Sequence, residues 1–354
     1  KYFLFLIISL LMARFPDAVG TNGMVVSSHK LASKAGLRIL KDGGNAIDAS
    51  IATGFALAVV HPGAGNIGGG GFMVIRLTDG TVTTIDFRET APAAAFKDMF
   101  LDDSLNVIPG KSWNTAWAAG VPGSVAGFGY AHEKYGSANW KDLINPAVNL
   151  AEEGFPLDFQ NMMSLNTPYF HEYLLDDPEA QKIFTKDEPF ELNELFFQKD
   201  LGRTLERIAN KGWQEFYNGK TADLIIDCMS RTGGLISYDD LKNYTSVERN
   251  SIEFFYRDYK IITMPPASSG GIVLAEILNQ LEYFDMDTLE YHSYKHMHYM
   301  AEVEKRAYAD RAEVLGDADF IYIPIDLMIS DKYAKNKLES INCCFSTSYE
   351  MINP

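Results

Sequence analysis

One arginine at the end of a β-rich segment has the residue type and position to bind a ligand. Residues 81–88 (TVTTIDFR) predict a strand, and side chains alternate between faces along a strand, so Arg88 is expected to share a face with Asp86. The planar guanidinium group binds a carboxylate through two parallel hydrogen bonds, which suits recognition of an amino-acid ligand. An intrachain ion pair with Asp86 or Glu89 is the alternative, and the residues alone favour it because surface ion pairs are common.

A run of glycines, Gly65–Gly71 (GNIGGGG), is the most unusual local feature of the sequence. A phosphate-binding loop would need a Lys-Ser or Lys-Thr pair after the last glycine, and none follows Gly71. A dinucleotide-binding loop follows a strand and opens a helix, whereas this run follows a predicted helix and opens a predicted strand. The run therefore predicts close packing of backbone and not a nucleotide site.

Two serines and three histidines are weaker candidates. Ser268 and Ser269 precede a glycine pair, but the pattern is not G-x-S-x-G, so a turn and a helix N-cap are predicted. His292 and His296 would lie one helical turn apart, while His298 points elsewhere and no nearby carboxylate completes a metal site. We expect these to be surface or half-buried histidines.

The composition excludes several classes of protein. The chain has 354 residues, with 31 Lys and Arg against 47 Asp and Glu, giving a net charge of −16. Nucleic-acid binding needs a basic surface, so no nucleic-acid partner is expected. Hydrophobic residues make up 47% and charged residues 22%, as in an ordinary globular protein. Three cysteines cannot form a disulfide framework, and the absence of a C-x-x-C pair argues against structural zinc.

Helices and strands are mixed along the chain, which indicates a layered α/β fold. The segment after Asn45 is apolar on all sides and predicts a buried helix. Asp79-Gly80 predicts the turn of a hairpin. The remaining predicted elements are helices at 29–41, 140–153, 196–209, 219–230, from Ile272 and at 292–314, and strands at 72–77, 81–88 and 258–264.

The N-terminus predicts export. Residues 3–12 are an apolar run of ten, preceded by Lys1 and followed by small residues near Gly20, which is typical of a signal peptide over residues 1–20. A short signal-anchor is the alternative. Asn243 begins a glycosylation sequon, Asn-Tyr-Thr, that is compatible with a secreted protein or with the extracellular face of the plasma membrane.

Seven stretches together resemble the γ-glutamyltransferase (glutathione hydrolase) family. They occur in the family's order between Gly23 and Tyr333 and read GGNAIDASIATGFALAVVHP, GNIGGGGFMVIR, IDFRETAP, GVPGSVAGF, GGLISYDDL, MPPASSGGI and AEVEKRAYADRAEVLGDADF. Residues 21–337 are predicted to be a large-subunit-like region, and residues 338–354 a divergent tail.

The resemblance implies an N-terminal-nucleophile hydrolase with a four-layer αββα sandwich, made as a precursor that cleaves itself into two subunits. A threonine at the new N-terminus would attack the γ-glutamyl amide of glutathione or a conjugate, and water or an acceptor amino acid would resolve the acyl-enzyme. No metal or organic cofactor is implied. Arg88 matches the family arginine that binds the α-carboxylate of the γ-glutamyl group, and the glycine run is assigned a structural role.

No counterpart of the nucleophilic threonine is found in this sequence. Thr347 has only seven residues after it, so it cannot begin a subunit. We therefore expect the small subunit and its threonine to be missing from this chain and the sandwich to be incomplete, with exposed sheet edges. The alternative is a truncated, catalytically inactive secreted protein that binds γ-glutamyl ligands or a partner.

Overall fold

A computed structural model of the chain describes residues 18–168, 171, 174 and 177–352. The apolar run of the predicted leader lies outside these described residues. The helices are α1 (Lys30–Lys41), α2 (Ala46–Val60), α3 (Ser124–Tyr135), α4 (Trp140–Glu153), α5 (Phe159–Leu165), α6 (Pro178–Phe184), α7 (Lys199–Lys211), α8 (Glu215–Asn218), α9 (Lys220–Thr232), α10 (Tyr238–Asn243), α11 (Gly270–Leu281), α12 (Tyr294–Val314), α13 (Ile325–Met328) and α14 (Asp331–Leu338). The strands are β1 (Phe72–Arg76), β2 (Val82–Asp86), β3 (Phe155–Pro156), β4 (Leu195–Phe196), β5 (Val247–Arg249), β6 (Ile252–Tyr256) and β7 (Tyr259–Thr263).

Two compact units are formed by the described residues. The first is drawn from residues 18–66 and 135–212, and the second from residues 67–134 and 213–352. The first unit is mainly helical and contains the β3–β4 pair, whereas the second contains the other two sheets.

Helix α2 lies at the centre of the first unit, as its apolar sequence predicts. Phe55 and Val59 are fully buried, and the helix packs against α1 and α4. Asn45 and Asp48 form a capping box that satisfies the free N–H groups of the first turn. Burial alone would raise the pKa of Asp48, but hydrogen bonds from Ser137, Asn45 and Ala138 outweigh it and lower that pKa.

The second unit contains an antiparallel sheet in the order β1-β2-β5. β1 and β2 form the predicted hairpin, with Phe72 opposite Asp86 and Arg76 opposite Val82. β5 pairs with the other edge of β2, where Ile85 is opposite Glu248. The end of β2 is therefore held from both sides.

A hydrophobic cluster fixes the remaining elements of the second unit. The β6–β7 hairpin buries Ile252 and Phe254 against Ile272 and Ala275 of α11. Residues at the end of α12 and in α13 pack against the same cluster. As a result α11 and α12 lie side by side, and the first turn of α11 lies near the last turn of α12.

Several element boundaries differ from those predicted. β2 ends at Asp86, so Arg88 lies in the segment after the strand and not within it. The helix predicted from residue 196 begins at Lys199, because Leu195 and Phe196 pair with β3. The helix predicted from residue 292 begins at Tyr294, with Ser293 as its N-cap.

The strands of the described residues make three small antiparallel sheets, of three, two and two strands. Mixed helices and strands agree with the predicted α/β class, while the complete four-layer sandwich stays a prediction. Of the helices in the part of the chain that the structure describes, none combines the length and the apolar character that crossing a bilayer needs.

Candidate substrate-binding site

Arg88 is the centre of the candidate site. Its side chain is 57% exposed, and it lines two cavities of the second unit, of about 460 and 450 Å³. The first cavity is also lined by Ser268, Ser269 and Arg311. The second contains the segment after Arg88 and the side chain of Trp117. A guanidinium group in this position is accessible to a ligand from either cavity.

The backbone at Arg88 is held by two hydrogen bonds of its own and by a pair of hydrogen bonds from the residue before it. Its N–H donates to Asp86 Oδ1 at 3.0 Å, and its carbonyl accepts from the Tyr244 hydroxyl at 2.8 Å. The preceding Phe87 exchanges backbone hydrogen bonds of 3.0 and 3.2 Å with Gly71. The side chain is thus exposed while its attachment point is fixed, which lowers the entropy lost when a ligand binds.

The predicted structural role of the glycine run is visible at Arg88. A Cβ atom on Gly70 would lie 2.5 Å from the Phe87 carbonyl oxygen and 2.8 Å from the Glu89 nitrogen. A Cβ atom on Gly123 would lie 2.0 Å from that same carbonyl oxygen and 2.1 Å from the Tyr244 hydroxyl. Only glycine permits these approaches, so Gly70 of the run and Gly123, from a separate segment, both pack against the backbone that carries Arg88.

Asp86, one of the two partners considered for Arg88 in the sequence, is occupied by another arginine. Arg249 on β5 donates from Nε to Asp86 Oδ2 at 2.8 Å and makes two further bonds to Asp319, at 2.9 and 2.6 Å. The Asp319 bonds and the Asp86 bond raise the pKa of Arg249 despite its partial burial, and the Arg249 guanidinium lowers the pKa of Asp319. The side chain of Arg88 therefore does not compete for Asp86.

Glu89, the other partner considered, does contact Arg88. Arg88 Nε lies 3.1 Å from Glu89 Oε2, and both side chains are partly exposed. Exposed ion pairs of this kind contribute about 0–1 kcal/mol, so this pair does not prevent Arg88 from binding a ligand carboxylate.

Two stacked tyrosines support the site and were not predicted from the sequence. Tyr244 stacks on Tyr217 with ring centroids 5.7 Å apart, and the Tyr217 hydroxyl donates to the Pro122 carbonyl at 2.8 Å. Burial raises the pKa of both phenols, so both remain protonated donors at neutral pH.

Ser268 and Ser269 lie before α11, where the sequence predicted a turn and an N-cap. Ser269 occupies the N-cap position but makes no capping hydrogen bond with its side chain. Its hydroxyl instead accepts from Arg311 Nε at 3.0 Å, while Ser268 Oγ accepts from the Gly270 N–H at 3.3 Å. The predicted position is right and the predicted partner of Ser269 is wrong, because Arg311 is brought close by the packing of two helices.

The three histidines occupy different environments. His292 precedes α12 and is exposed, and His296 is half-buried. His298 is buried, against expectation, and its Nε2 lies 2.7 Å from the carbonyl oxygen of Asn342. Asn243 is exposed at the last residue of α10.

Comparison with known proteins decides the family. A sequence model described as gamma-glutamyltranspeptidase matches residues 32–348. The chain belongs to the gamma-glutamyltranspeptidase family. It is 46% identical over 322 residues, 91% of the chain, to proteins named glutathione hydrolase proenzyme from Pseudomonas sp. (strain A14) and Escherichia coli (strain K12). The chain spans 56% and 55% of the length of these relatives.

Solved gamma-glutamyltranspeptidases share the fold of the chain. The crystal structure of the Helicobacter pylori gamma-glutamyltranspeptidase superimposes with a TM-score of 0.93 at 44% identity, covering 96% of this chain and 97% of that one. The family match runs to residue 348, beyond Lys337, where the sequence resemblance was predicted to end.

The sequence singled out Arg88 but gave no role to the residues around it. The stretch AEVEKRAYADRAEVLGDADF carried part of the gamma-glutamyltranspeptidase resemblance and includes Arg311, yet nothing in its spacing linked Arg311 to Ser269. The partners Asp86 and Arg249 were equally hidden, because they lie 163 residues apart.

Proposed function

We propose that this chain is the large-subunit part of a secreted or cell-surface γ-glutamyltransferase, or glutathione hydrolase, in which Arg88 binds the α-carboxylate of the γ-glutamyl group. The observation that carries the proposal is the exposed guanidinium of Arg88 on a fixed backbone, lining two cavities. The names of the relatives, glutathione hydrolase proenzyme, support the substrate class.

The role of Arg88 in this reaction is orientation. A two-pronged bond to the α-carboxylate sets the distance from that group to the γ-carbonyl carbon along the substrate chain. Holding the carbonyl at a set position next to a nucleophile removes much of the entropic barrier to attack. The N–H and the carbonyl of Arg88 are both hydrogen-bonded, so the point from which its side chain extends is fixed before substrate arrives.

The nucleophile is proposed to be a threonine of the small subunit, outside this chain. Its hydroxyl adds to the γ-carbonyl, its proton passes to the leaving amine as the C–N bond breaks, and water or an acceptor amine then takes the glutamyl group from the ester. Thr347 is unsuited to this role, since its N–H donates to Glu302 Oε1 at 3.0 Å and its hydroxyl donates to Glu302 Oε2 at 2.6 Å.

The small subunit is also proposed to complete the four-layer sandwich. β1 and β5 are the edges of the three-stranded sheet, and Val74 of β1 is 47% exposed. Unpaired edges of this kind pair readily with other strands. We further propose that residues 1–20 direct export and that Asn243 carries a glycan.

Activity toward a γ-glutamyl anilide tests the proposal. Enzyme produced from the complete coding sequence is expected to release the aniline and form glutamate, whereas a polypeptide of these 354 residues is expected to release none. Turnover by the 354-residue polypeptide would contradict the proposed threonine. Inactivity of the complete product, if correctly folded, would contradict the hydrolase itself and favour a ligand-binding protein.

A further inference from the structure

Two arginines line one cavity of the second unit. Arg88 and Arg311 both border the cavity of about 460 Å³ that also contains Ser268 and Ser269. We propose that Arg311 binds the carboxylate on the other side of the scissile amide, which belongs to the peptide leaving group or to a peptide acceptor. This inference rests on the proposed function, which gives Arg88 to the glutamyl α-carboxylate.

The chemistry of a γ-glutamyl peptide requires two such contacts if it is to be held at both ends. Its glutamyl α-carboxylate lies on one side of the scissile amide, and the C-terminal carboxylate of the released peptide lies on the other. Arginine suits both because its fork matches the two oxygens of a carboxylate. Two guanidinium groups around one cavity fit a ligand of two negative charges.

Arg311 has donors available for a ligand. Its Nε donates to Ser269 Oγ at 3.0 Å, which fixes the direction of the guanidinium plane. Within residues 18–168, 171, 174 and 177–352, no carboxylate forms an ion pair with Arg311. Arg249, Arg257 and Arg306 of the same unit each have such a partner. The two terminal nitrogens of Arg311 can therefore form a two-pronged bond to an incoming carboxylate.

The surroundings of Arg311 add to its preference for an anion. Ser269 is the N-cap of α11, a helix of 12 residues, and the partial positive charge of its first turn lies at this end of the cavity. The Ser269 hydroxyl accepts from Arg311 and makes no capping hydrogen bond to that turn.

The position of Arg311 is set by a rigid support. The preceding residue, Asp310, is buried and accepts from Lys337 Nζ at 2.7 Å, which joins α12 to α14. Val314 and Leu315, which follow in the chain, pack on the hydrophobic cluster of β6 and α11. A guanidinium carried on such a fixed helix end loses little freedom when it binds.

Kinetics with matched substrates test the proposal in enzyme from the complete coding sequence. Three substrates are compared. Glutathione carries the second, C-terminal carboxylate, and its C-terminal amide derivative replaces that carboxylate with an uncharged amide. The γ-glutamyl anilide has no group at that position. We expect Arg311→Gln to lower kcat/KM for glutathione about tenfold relative to kcat/KM for the anilide. Most of this loss in the ratio of the two values should come from a higher KM for glutathione. Arg311→Lys should retain part of this ratio, and Ser269→Ala should lower it less.

The wild-type enzyme should itself favour glutathione over the amide derivative, and Arg311→Gln should remove that preference. In the transfer reaction, a dipeptide acceptor is compared with its C-terminal amide. This comparison shows whether Arg311 binds the carboxylate of the acceptor or that of the leaving group. A preference lost only in hydrolysis assigns Arg311 to the leaving group, and one lost only in transfer assigns it to the acceptor. Arg203→Gln, an exposed arginine of α7, is the matched control and should leave all these ratios unchanged.

Equal losses on glutathione and the anilide, or an unchanged preference for the free carboxylate in both reactions, would overturn the role of Arg311 while leaving the proposed function intact. A wild-type enzyme that fails on the anilide overturns the proposed function, and this inference with it.

Discussion

Arg249 and Asp86 form an ion pair across the β2–β5 ladder, with 2.8 Å between Nε and Oδ2. The register places Arg249 opposite Thr84, so Asp86 is its diagonal neighbour, at a distance that a long side chain can span. Both side chains are largely buried, at 16% and 7% exposure. The pair fixes the end of β2 two residues before Arg88 and so separates the arginine that supports the sheet from the one that faces the cavities.

Two substitutions at Asp86 should distinguish the effect of its ion pair with Arg249 from the effect of the hydrogen bond that it accepts from the Arg88 N–H. Asp86→Asn removes the charge but keeps an oxygen for the Arg88 N–H, whereas Asp86→Ala removes both. We expect each to lower the free energy of unfolding by about 1–3 kcal/mol, the range for an unpaired buried group. The loss in kcat/KM on the γ-glutamyl anilide should be larger for Asp86→Ala.

Urea unfolding and steady-state kinetics on the same preparations measure the two effects. Equal kinetic losses in both variants would show that the hydrogen bond from Arg88 N–H to Asp86 does not position the arginine.

Replacement of Arg88 should remove substrate orientation with little effect on folding, since its side chain is 57% exposed. Arg88→Ala is expected to lower kcat/KM by the equivalent of about 2–5 kcal/mol, the range for truncating one partner of a buried charge pair. Arg88→Lys should also be poor, because one ammonium group cannot make the two-pronged contact. An unchanged kcat/KM in either variant, with unchanged melting temperature, would remove Arg88 from the substrate site.

The local elements of this site could be predicted from the sequence, whereas their partners could not. Alternation of side chains and the Asp79-Gly80 turn predicted the β1–β2 hairpin, and an unbroken apolar run predicted α2. These signals lie within a few residues of one another. The neighbour of β2 that supplies Arg249 is more than 160 residues away, and no local pattern identifies it.

The same limit explains the error at Ser269. A serine before a helix is expected to cap it, and the cap position was right. The competing donor, Arg311, comes from a helix 42 residues further along the chain and is brought close by the hydrophobic cluster beneath both helices. The capping propensity of a serine depends on its neighbours in the chain, so it could not predict a hydrogen bond from a residue on another helix.

Glycosylation at Asn243 should be detectable when the protein is exported by a eukaryotic host. The sequon residue is exposed at the end of α10, so a glycan can extend into solvent without unfolding the helix. Digestion with an N-glycosidase should reduce the mass of the secreted protein, and Asn243→Gln should abolish that reduction. Thr245→Ser preserves the sequon and serves as the control. A wild-type mass that does not change on digestion would refute the site.

A buried carboxyl group, Glu276, should make the stability of the fold depend on pH. Its side chain lies on α11, is 3% exposed, and has no hydrogen-bond partner for either carboxyl oxygen. Burial and, to a smaller extent, the nearby charge of Asp310 raise its pKa to about 9, and the positive charge of Lys337 opposes this shift. The phenol of Tyr333 lies near both acids, and burial together with their charges raises its pKa. The Gln280 amide, one turn along α11, donates to the backbone carbonyl of Glu276 at 3.0 Å.

The direction of the pH effect on stability follows from the number of protons that Glu276 binds in the folded and in the unfolded state. With a folded pKa of about 9 against 4.5 for the exposed acid, the folded state holds a proton that the unfolded state has lost between these values. The stabilising contribution is complete below pH 4.5 and is lost as pH rises towards 9. The slope from this one group is at most ~1.4 kcal/mol per pH unit.

Glu276→Gln keeps the shape of the side chain and removes its proton equilibrium. We expect it to flatten the fall of melting temperature between pH 6 and 9 and to raise stability most at the alkaline end, because the wild-type carboxylate must then be charged in a buried site. Glu304→Gln, an exposed glutamate on α12, is the control and should keep the wild-type slope. If Glu276→Gln and wild type show the same pH dependence in thermal melts, Glu276 is already ionised in the native protein at neutral pH, and its charge must be balanced by Lys337 in place of a bound proton.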